Sequence, residues 1–179
     1  MTDTQSRIAA GLERAFVRDG FARPNIETLR DAAGVSLRTL YRHAPSREEM
    51  VLMALEHRHQ RYIARVFAAL PEDPAQALGT LLDRIAEWMA EEAAHGCLFH
   101  AAVAATPNDA RLQAVLARHK TETAHRVAKA ARLPGRTAEL ALIVEGLMQG
   151  WPLLRGDAVI AARNLCAALI AYDAGRGPA

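Results

Sequence analysis

The residues best suited to a chemical role lie in one short stretch, SLRTLYRHAPSREEM, which runs from Ser36 to Met50. Its first twelve residues include three arginines and one histidine, and its first acidic residue is Glu48. Concentrated positive charge beside hydroxyl groups suits binding to phosphates and to the edges of nucleotide bases. The stretch therefore indicates a contact with nucleic acid.

Two short helices are predicted to position these side chains. Asn25 can cap a helix over residues 26–33, and Gly34 permits the left-handed turn that ends it. Ser36 can cap the next helix, which Pro45 stops. Helices this short are unstable alone, so we expect them to pack as a helix-turn-helix on the helices before and after them.

The apolar residues of this unit predict which side faces outward. Leu29, Val35 and Leu40 form the buried side. The outward side of the second short helix is then polar and cationic, with Ser36, Leu37, Arg38, Thr39, Tyr41, Arg42 and His43. This side suits the major groove of DNA.

The stretch AGVSLRTLYRHAPSREEM resembles the TetR family of bacterial transcriptional regulators, and the resemblance covers about residues 7–55. HGCLFHAAVA and LIVEGLMQGWPLL are similar to later family segments, with weaker matches. The resemblance implies a homodimer with one DNA-binding head per subunit and a helical body that binds a ligand and dimerises. It also implies DNA contacts, mostly to phosphates, by Thr39, Tyr41, His43 and Arg47, with Leu37, Arg38 and Arg42 at the variable positions that select sequence.

Several of these residues have a second interpretation. Arg38 and Arg42 lie one turn apart and can each fork onto a guanine, contact a phosphate, or remain solvated. Tyr41 can instead belong to the core. Two positions depart from the family pattern: Ala44 replaces the usual Phe, and Arg30 stands where alanine is usual. The head is either looser at Ala44 or filled there by Met50 or Phe21, and we expect the Arg30 head group to reach water or phosphate.

Nearly the whole 179-residue chain has helical periodicity, so we predict an all-α fold of about nine helices. An N-terminal three-helix head (residues 1–48) and a C-terminal ligand-binding and dimerisation body (residues 49–175) form the predicted domains. His95 and Gly96 are predicted to break a helix, and residues 176–179 to form a loose tail. The predicted helices span about 5–18, 26–33, 36–44, 47–70, 74–94, 97–105, 109–132, 137–155 and 157–173.

The last two predicted helices favour a dimer interface. One stripe of helix 137–155 carries large apolar residues, and a second side carries Leu142, Gly146, Gly150 and Leu153. A helix that is apolar on two sides must be covered on both. Helix 157–173 is rich in alanine, which allows close helix approach. We expect these helices to form half of a four-helix interface, the alternative being core packing in a monomer.

A ligand cavity is expected among the helices of the body. Aromatic and sulfur-containing residues suit a small apolar effector with few polar contacts. Each candidate can instead be an ordinary core residue. The candidates are Trp88, Met89, Cys97, Phe99, His100, Met148 and Trp151.

Several classes of protein are disfavoured. No phosphate loop, nucleophile elbow or metal-ligand spacing occurs, so we expect no catalysis, cofactor or metal. No apolar run reaches the roughly 18 residues of a membrane span, and the N-terminus lacks a signal-peptide core, so we expect a cytoplasmic protein. Cys97 and Cys166 are expected to be buried, with a thiol sensor as the alternative.

The pattern as a whole predicts a ligand-responsive transcriptional regulator. We expect a repressor that binds a near-palindromic operator in double-stranded DNA as a dimer and is released by a small effector. Residues 1–65 carry 11 basic against 8 acidic residues, whereas the whole chain has a net charge of only +2, which places the excess near the predicted head. The alternative is a helical adaptor or ligand carrier that no longer reads DNA. This alternative is favoured by Ala44 and Arg30, the two departures from the family pattern.

Overall fold

The computed structural model describes residues 2–93 and 96–175, which form helices without strands. The predicted all-α class with about nine helices is confirmed. The predicted break at His95 and the predicted tail at 176–179 lie outside the described residues. The elements are α1 (Asp3–Asp19), α2 (Ile26–Ala33), α3 (Leu37–His43), α4 (Arg47–Val66), α5 (Pro74–Glu92), α6 (Leu98–Ala105), α7 (Ala110–Ala130), a 3-10 helix (Pro134–Arg136), α8 (Thr137–Leu154) and α9 (Gly156–Ala174).

Side-chain caps determine where several helices begin. The Asn25 side chain accepts a hydrogen bond from the amide of Thr28 at 2.9 Å, which satisfies a donor that the first turn of α2 leaves free. Asp73 does the same for Gln76 at 2.8 Å, and Pro74 occupies the first position of α5, where no amide is needed. Both starts agree with the sequence prediction.

The predicted end of α4 is wrong. The helix ends at Val66, whereas apolar periodicity continues to Leu70. Ala69 has a φ of 35°, a left-handed conformation that an α-helix cannot continue through. The Arg84 guanidinium donates to the Val66 carbonyl at 3.2 Å, so a side chain from α5 supplies a donor at the helix end. Likewise, α7 ends at Ala130, two residues before its predicted end.

Packing divides the chain into two compact units. The first comprises Met1–Tyr62 and Leu98–Arg118, and the second comprises Ile63–Cys97 and His119–Ala179. This division follows packing rather than function. The predicted functional boundary between residues 48 and 49 is not tested by it and stays a prediction.

The first unit has a core built from the N-terminal helices. α1 packs on α2, and α2 packs on α3. Burial of large apolar side chains is the main stabilising contribution of such a core. Its largest fully buried side chains are Ile8, Leu12, Phe16, Leu29, Leu40, Met50 and Leu55.

A buried carboxylate joins α1 to α4 within this unit. The Glu13 side chain is 3% exposed, and its two oxygens contact three basic groups of α4. They accept from Arg58 at 3.0 Å and Arg61 at 2.8 Å, and one lies 2.6 Å from Nδ1 of His57. These contacts offset the cost of burying the charge.

In the second unit, α8 and α9 pack on each other and both pack on α5. The predicted large apolar stripe of α8 is buried, including Leu140, Val144 and Leu147. The fully buried large side chains of α5 are Leu81, Leu82, Ile85 and Met89.

The second apolar side of α8 is exposed, and so is one side of α9. Leu142 is 75% exposed and Leu153 is 84% exposed. Extended apolar surface of this kind is typical of a protein contact. The remaining large apolar residues exposed on these helices are Leu154, Ile160, Leu165 and Tyr172. None of the helices in the described ranges is long and apolar enough to span a membrane.

Candidate nucleic-acid interface

The turn between α2 and α3 has the geometry that its sequence predicts. Gly34 adopts a left-handed conformation, with a φ of 65°, and its amide donates to the Arg30 carbonyl at 3.0 Å. The Ser36 side chain accepts from the Thr39 amide at 3.2 Å and so begins α3. Leu29 and Leu40 are fully buried, which fixes the rotation of both helices against the core.

The side of α3 opposite Leu40 is open to solvent. We define the outer face of α3 as Leu37, Arg38, Tyr41 and Arg42, all of which are exposed. Ser36 is also exposed, whereas Thr39, His43 and Arg47 are partly buried. Tyr41 is 45% exposed, so it is not a core residue of the protomer.

The two arginines of this outer face are available to a partner. Across the described residues, neither Arg38 nor Arg42 forms an ion pair or a side-chain hydrogen bond with the protein. Since α3 has no acidic residue in its first turn, no carboxylate there competes for them. Each guanidinium therefore presents its full set of donors to solvent.

The hydroxyl groups of Ser36 and Thr39 lie 3.0 Å apart and share a hydrogen bond. One hydroxyl hydrogen is used within this pair, whichever group donates it. The pair thus has one hydroxyl donor left for an external acceptor.

Arg47 has structural contacts that the sequence did not reveal. Its two terminal nitrogens donate to the Phe21 carbonyl at 2.6 Å and the Pro24 carbonyl at 2.8 Å. These bonds tie the start of α4 to the connection between α1 and α2. Nothing in the sequence pattern marks them, because both acceptors are backbone atoms. A DNA contact by Arg47 stays a prediction.

The two departures from the family pattern are accommodated. Arg30 is neither buried nor unpaired: its Nε donates to Asp31 at 2.7 Å, and its side chain is 34% exposed. The sequence favours water or phosphate as the partner of the Arg30 head group, and it does not indicate Asp31, the next residue in the sequence, as the partner. Ala44 is fully buried, as is Met50, and Phe21 stacks on Phe16 with ring centroids 4.9 Å apart.

The seven predicted ligand-binding residues are divided between the units. Trp88, Met89, Cys97, Met148 and Trp151 belong to the second unit and are buried there, and Phe99 is buried in the first. His100 is exposed, which does not favour a place among apolar liners. The indole nitrogen of Trp151 is buried without a hydrogen-bond partner among the described residues.

Neither of two cavities found among the described residues is lined by any of the seven residues. A cavity of about 350 Å³ lies between α7 and α8 in the second unit, beside the ion pair of Lys120 and Glu145, whose charged atoms are 2.8 Å apart. Small residues such as Ala124, Ala138 and Ala141 leave this space open. The space was missed because the cavity predicted from the sequence lay among large aromatic and sulfur-containing residues. The other cavity, about 90 Å³ in the first unit, is bordered by Arg47.

Taken together, an exposed cationic helix after a glycine turn and a second helical unit define a helix-turn-helix DNA-binding protein. Residues 8–54 match the model of bacterial regulatory proteins of the tetR family. Over 172 residues the chain is 28% identical to the HTH-type transcriptional regulator TtgR of Pseudomonas putida, a match that covers 85% of this chain and 81% of that protein.

Solved structures share the same fold. SCO4454, a TetR-family transcriptional regulator from Streptomyces coelicolor, matches with a TM-score of 0.79 and 19% identity over 93% of each chain. The multidrug binding protein EbrR, complexed with ethidium, matches with a TM-score of 0.74 and 22% identity over 93% of this chain and 98% of that one. The likeness to the TetR family of bacterial transcriptional regulators that the sequence predicted is thus confirmed.

Proposed function

We propose that this regulator is a repressor that binds a near-palindromic operator as a homodimer and leaves it when a small effector binds. The observation that carries the proposal is the outer face of α3, where Arg38 and Arg42 are exposed and form no ion pair or side-chain hydrogen bond among the described residues. Two such helices, related by a twofold axis, read two half-sites in successive major grooves. A repressor of this kind acts in the cytoplasm, where its operator lies.

The apolar surfaces of α8 and α9 support the dimer. Leu142 on α8 and Leu165 on α9 are 75% and 56% exposed, in a chain whose other large apolar residues are mostly buried. A second copy of the same surface covers both at once, because a twofold interface brings identical patches together. Four helices, two from each subunit, then share one apolar seam.

A small apolar or aromatic effector is supported by two observations. The second unit contains a cavity of about 350 Å³, a volume in the range of small-ligand sites. EbrR, which has the same fold, is a multidrug binding protein complexed with ethidium. An effector releases DNA by binding more tightly to the subunit conformation in which the two α3 helices no longer match the groove spacing.

Gel-shift titration of duplex DNA from upstream of the protein's own gene tests DNA reading. We expect a sequence-preferring complex that weakens steeply as salt rises. Arg38→Ala/Arg42→Ala should abolish the preference, whereas Lys129→Ala, which removes an exposed charge on α7, should not. A complex that is equally tight on unrelated DNA would argue against operator recognition.

Tryptophan fluorescence without DNA tests the effector. Trp88 and Trp151 are both buried in the second unit, so a ligand bound there should change their emission. Ethidium and neutral aromatic compounds are suitable probes. Compounds that change the emission should also dissociate the DNA complex, and binding without dissociation would contradict the proposed release.

A further inference from the structure

The outer face of α3 consists of two parallel rows of side chains. Leu37 and Tyr41 lie one turn apart and form one row, and Arg38 and Arg42 form the neighbouring row. Leu40 is fully buried on the side opposite the arginine row, and the row of Leu37 and Tyr41 lies between the buried side and the arginines. The helix therefore presents an apolar row directly beside a row of cations.

Exposure of Leu37 is unusual within its own surroundings. Leu37 is 36% exposed and Tyr41 45%. In the described ranges outside α8 and α9, Val17 on α1 is the remaining large apolar side chain that is exposed to a similar degree. A single exposed leucine is common on protein surfaces. For Leu37, the neighbouring row of arginines indicates which kind of partner covers the side chain.

Leucine has no polar atom, so it can discriminate only by apolar contact. On the major-groove edges of the four unmodified bases, the C5 methyl group of thymine is the apolar group, and arginine pairs with the O6 and N7 atoms of guanine. We propose that Leu37 is a specificity-determining residue that contacts the methyl group of one thymine in each operator half-site. This inference rests on the proposed function, since it requires α3 to enter the major groove.

Helix geometry gives the expected position of this thymine. Four residues separate Arg38 from Arg42, which is about 6 Å along the helix axis. Successive bases are about 3.4 Å apart along DNA, so the two arginines reach bases about two steps apart. Leu37 precedes Arg38 by one residue, or about 1.5 Å. The thymine is therefore expected within about one base pair of the guanine that Arg38 contacts.

Uracil substitution measures this contact, because uracil pairs as thymine does and lacks only the methyl group. The full-length protein first selects its binding sequence from a random duplex library, and each selected thymine is then replaced by uracil. We expect uracil at one position per half-site to weaken binding about fourfold, the loss for one buried methyl-sized group. In Leu37→Ala the two duplexes should bind equally.

Arg42→Ala is the matched control on the same face. It should weaken binding to both duplexes and leave the thymine-to-uracil ratio unchanged, and the melting temperatures of both variants should match the parent protein, since both side chains are exposed. The inference would be overturned if Leu37→Ala still bound the thymine duplex more tightly than the uracil duplex. It would also be overturned if no thymine in the selected sites were sensitive to uracil. Either result would leave the proposed DNA binding intact. Failure to select any sequence would overturn the proposed function and this inference with it.

Discussion

The backbone of α1 at Gly11 lies directly against the backbone of α2, where a β-carbon on Gly11 would stand 2.6 Å from the Cα atom of Ala33. No side chain can move aside at this contact, because the neighbouring atoms belong to the backbone. The absence of a side chain at one position of α1 thus sets how closely α2 packs on it. Through the short turn at Gly34, this distance also positions α3.

Gly11→Ala is expected to destabilise the protein by about 1–3 kcal/mol, the usual cost of forcing extra volume into packed structure. Gly79→Ala on α5 is the control, because its β-carbon would meet only the mobile end of Arg163 at 3.2 Å. Alanine favours helix over glycine, so the control should be neutral or slightly stabilising. Thermal unfolding followed by circular dichroism measures both, and equal melting temperatures would disprove the proposed tight contact.

Glu13→Gln should destabilise the protein more strongly, by about 3–5 kcal/mol, because the basic groups of α4 lose the charged acceptor buried among them. Glu27→Gln removes an exposed carboxylate of α2 and should change stability little. Urea titration of the two variants gives the comparison. A small loss of stability in Glu13→Gln would mean that water replaces the carboxylate as the partner of the three basic side chains.

Arg47→Ala and Arg42→Ala are expected to act differently, although each removes one positive charge. Loss of Arg47 leaves the Phe21 and Pro24 carbonyls without these donors, so it should lower the melting temperature. Loss of Arg42 should leave melting unchanged. If Arg42 contacts a phosphate, its loss also reduces the slope of log affinity against log salt by about 0.9.

The same pair of variants tests whether Arg47 also contacts DNA. If Arg47 keeps its bonds to the Phe21 and Pro24 carbonyls in the DNA complex, Arg47→Ala should leave the salt slope unchanged. A slope reduced as much as for a phosphate-binding arginine would show that the loop bonds break in the complex. Affinity is measured at several salt concentrations, well below the melting temperature of each variant.

Leu142→Glu and Leu165→Glu should convert the proposed dimer to a monomer. Both side chains are exposed in the protomer, so the helical content should not change. Burying two glutamates at a twofold interface is costly without partners. Light scattering after size exclusion gives the mass, with Lys129→Glu as an exposed control. A variant that stays dimeric would place the interface elsewhere.

Cys166 is expected to be chemically unreactive in the folded protein, because burial raises the pKa of its thiol to about 11. The thiolate is the reactive form, so in Cys97→Ala iodoacetamide should modify the folded protein very slowly at about neutral pH and the urea-unfolded protein readily. The raised pKa favours the folded state below the unfolded pKa of about 8.5. This contribution is lost as pH rises toward the folded pKa of about 11. Fast modification of the folded protein would instead support a thiol sensor.

Local sequence signals predicted the helices and the turn well. Asn25, Ser36 and Asp73 form their caps with residues three positions away, and Gly34 satisfies a backbone angle of its own turn. Such interactions depend only on neighbours along the chain, so they can be read without the fold. The same holds for the exposure of α3, because one buried leucine in a seven-residue helix fixes the opposite side.

The partners of individual side chains were decided by the tertiary structure. Arg47 binds two carbonyls 23 and 26 residues away, and Glu13 meets basic groups 44 to 48 residues away. The α7–α8 cavity likewise arises where small residues from two helices face each other. The sequence by itself determined the helices, the glycine turn and the cationic face, because each depends on residues within a few positions. Only the folded chain decided which charges pair and where space remains, because both depend on groups brought together from distant positions.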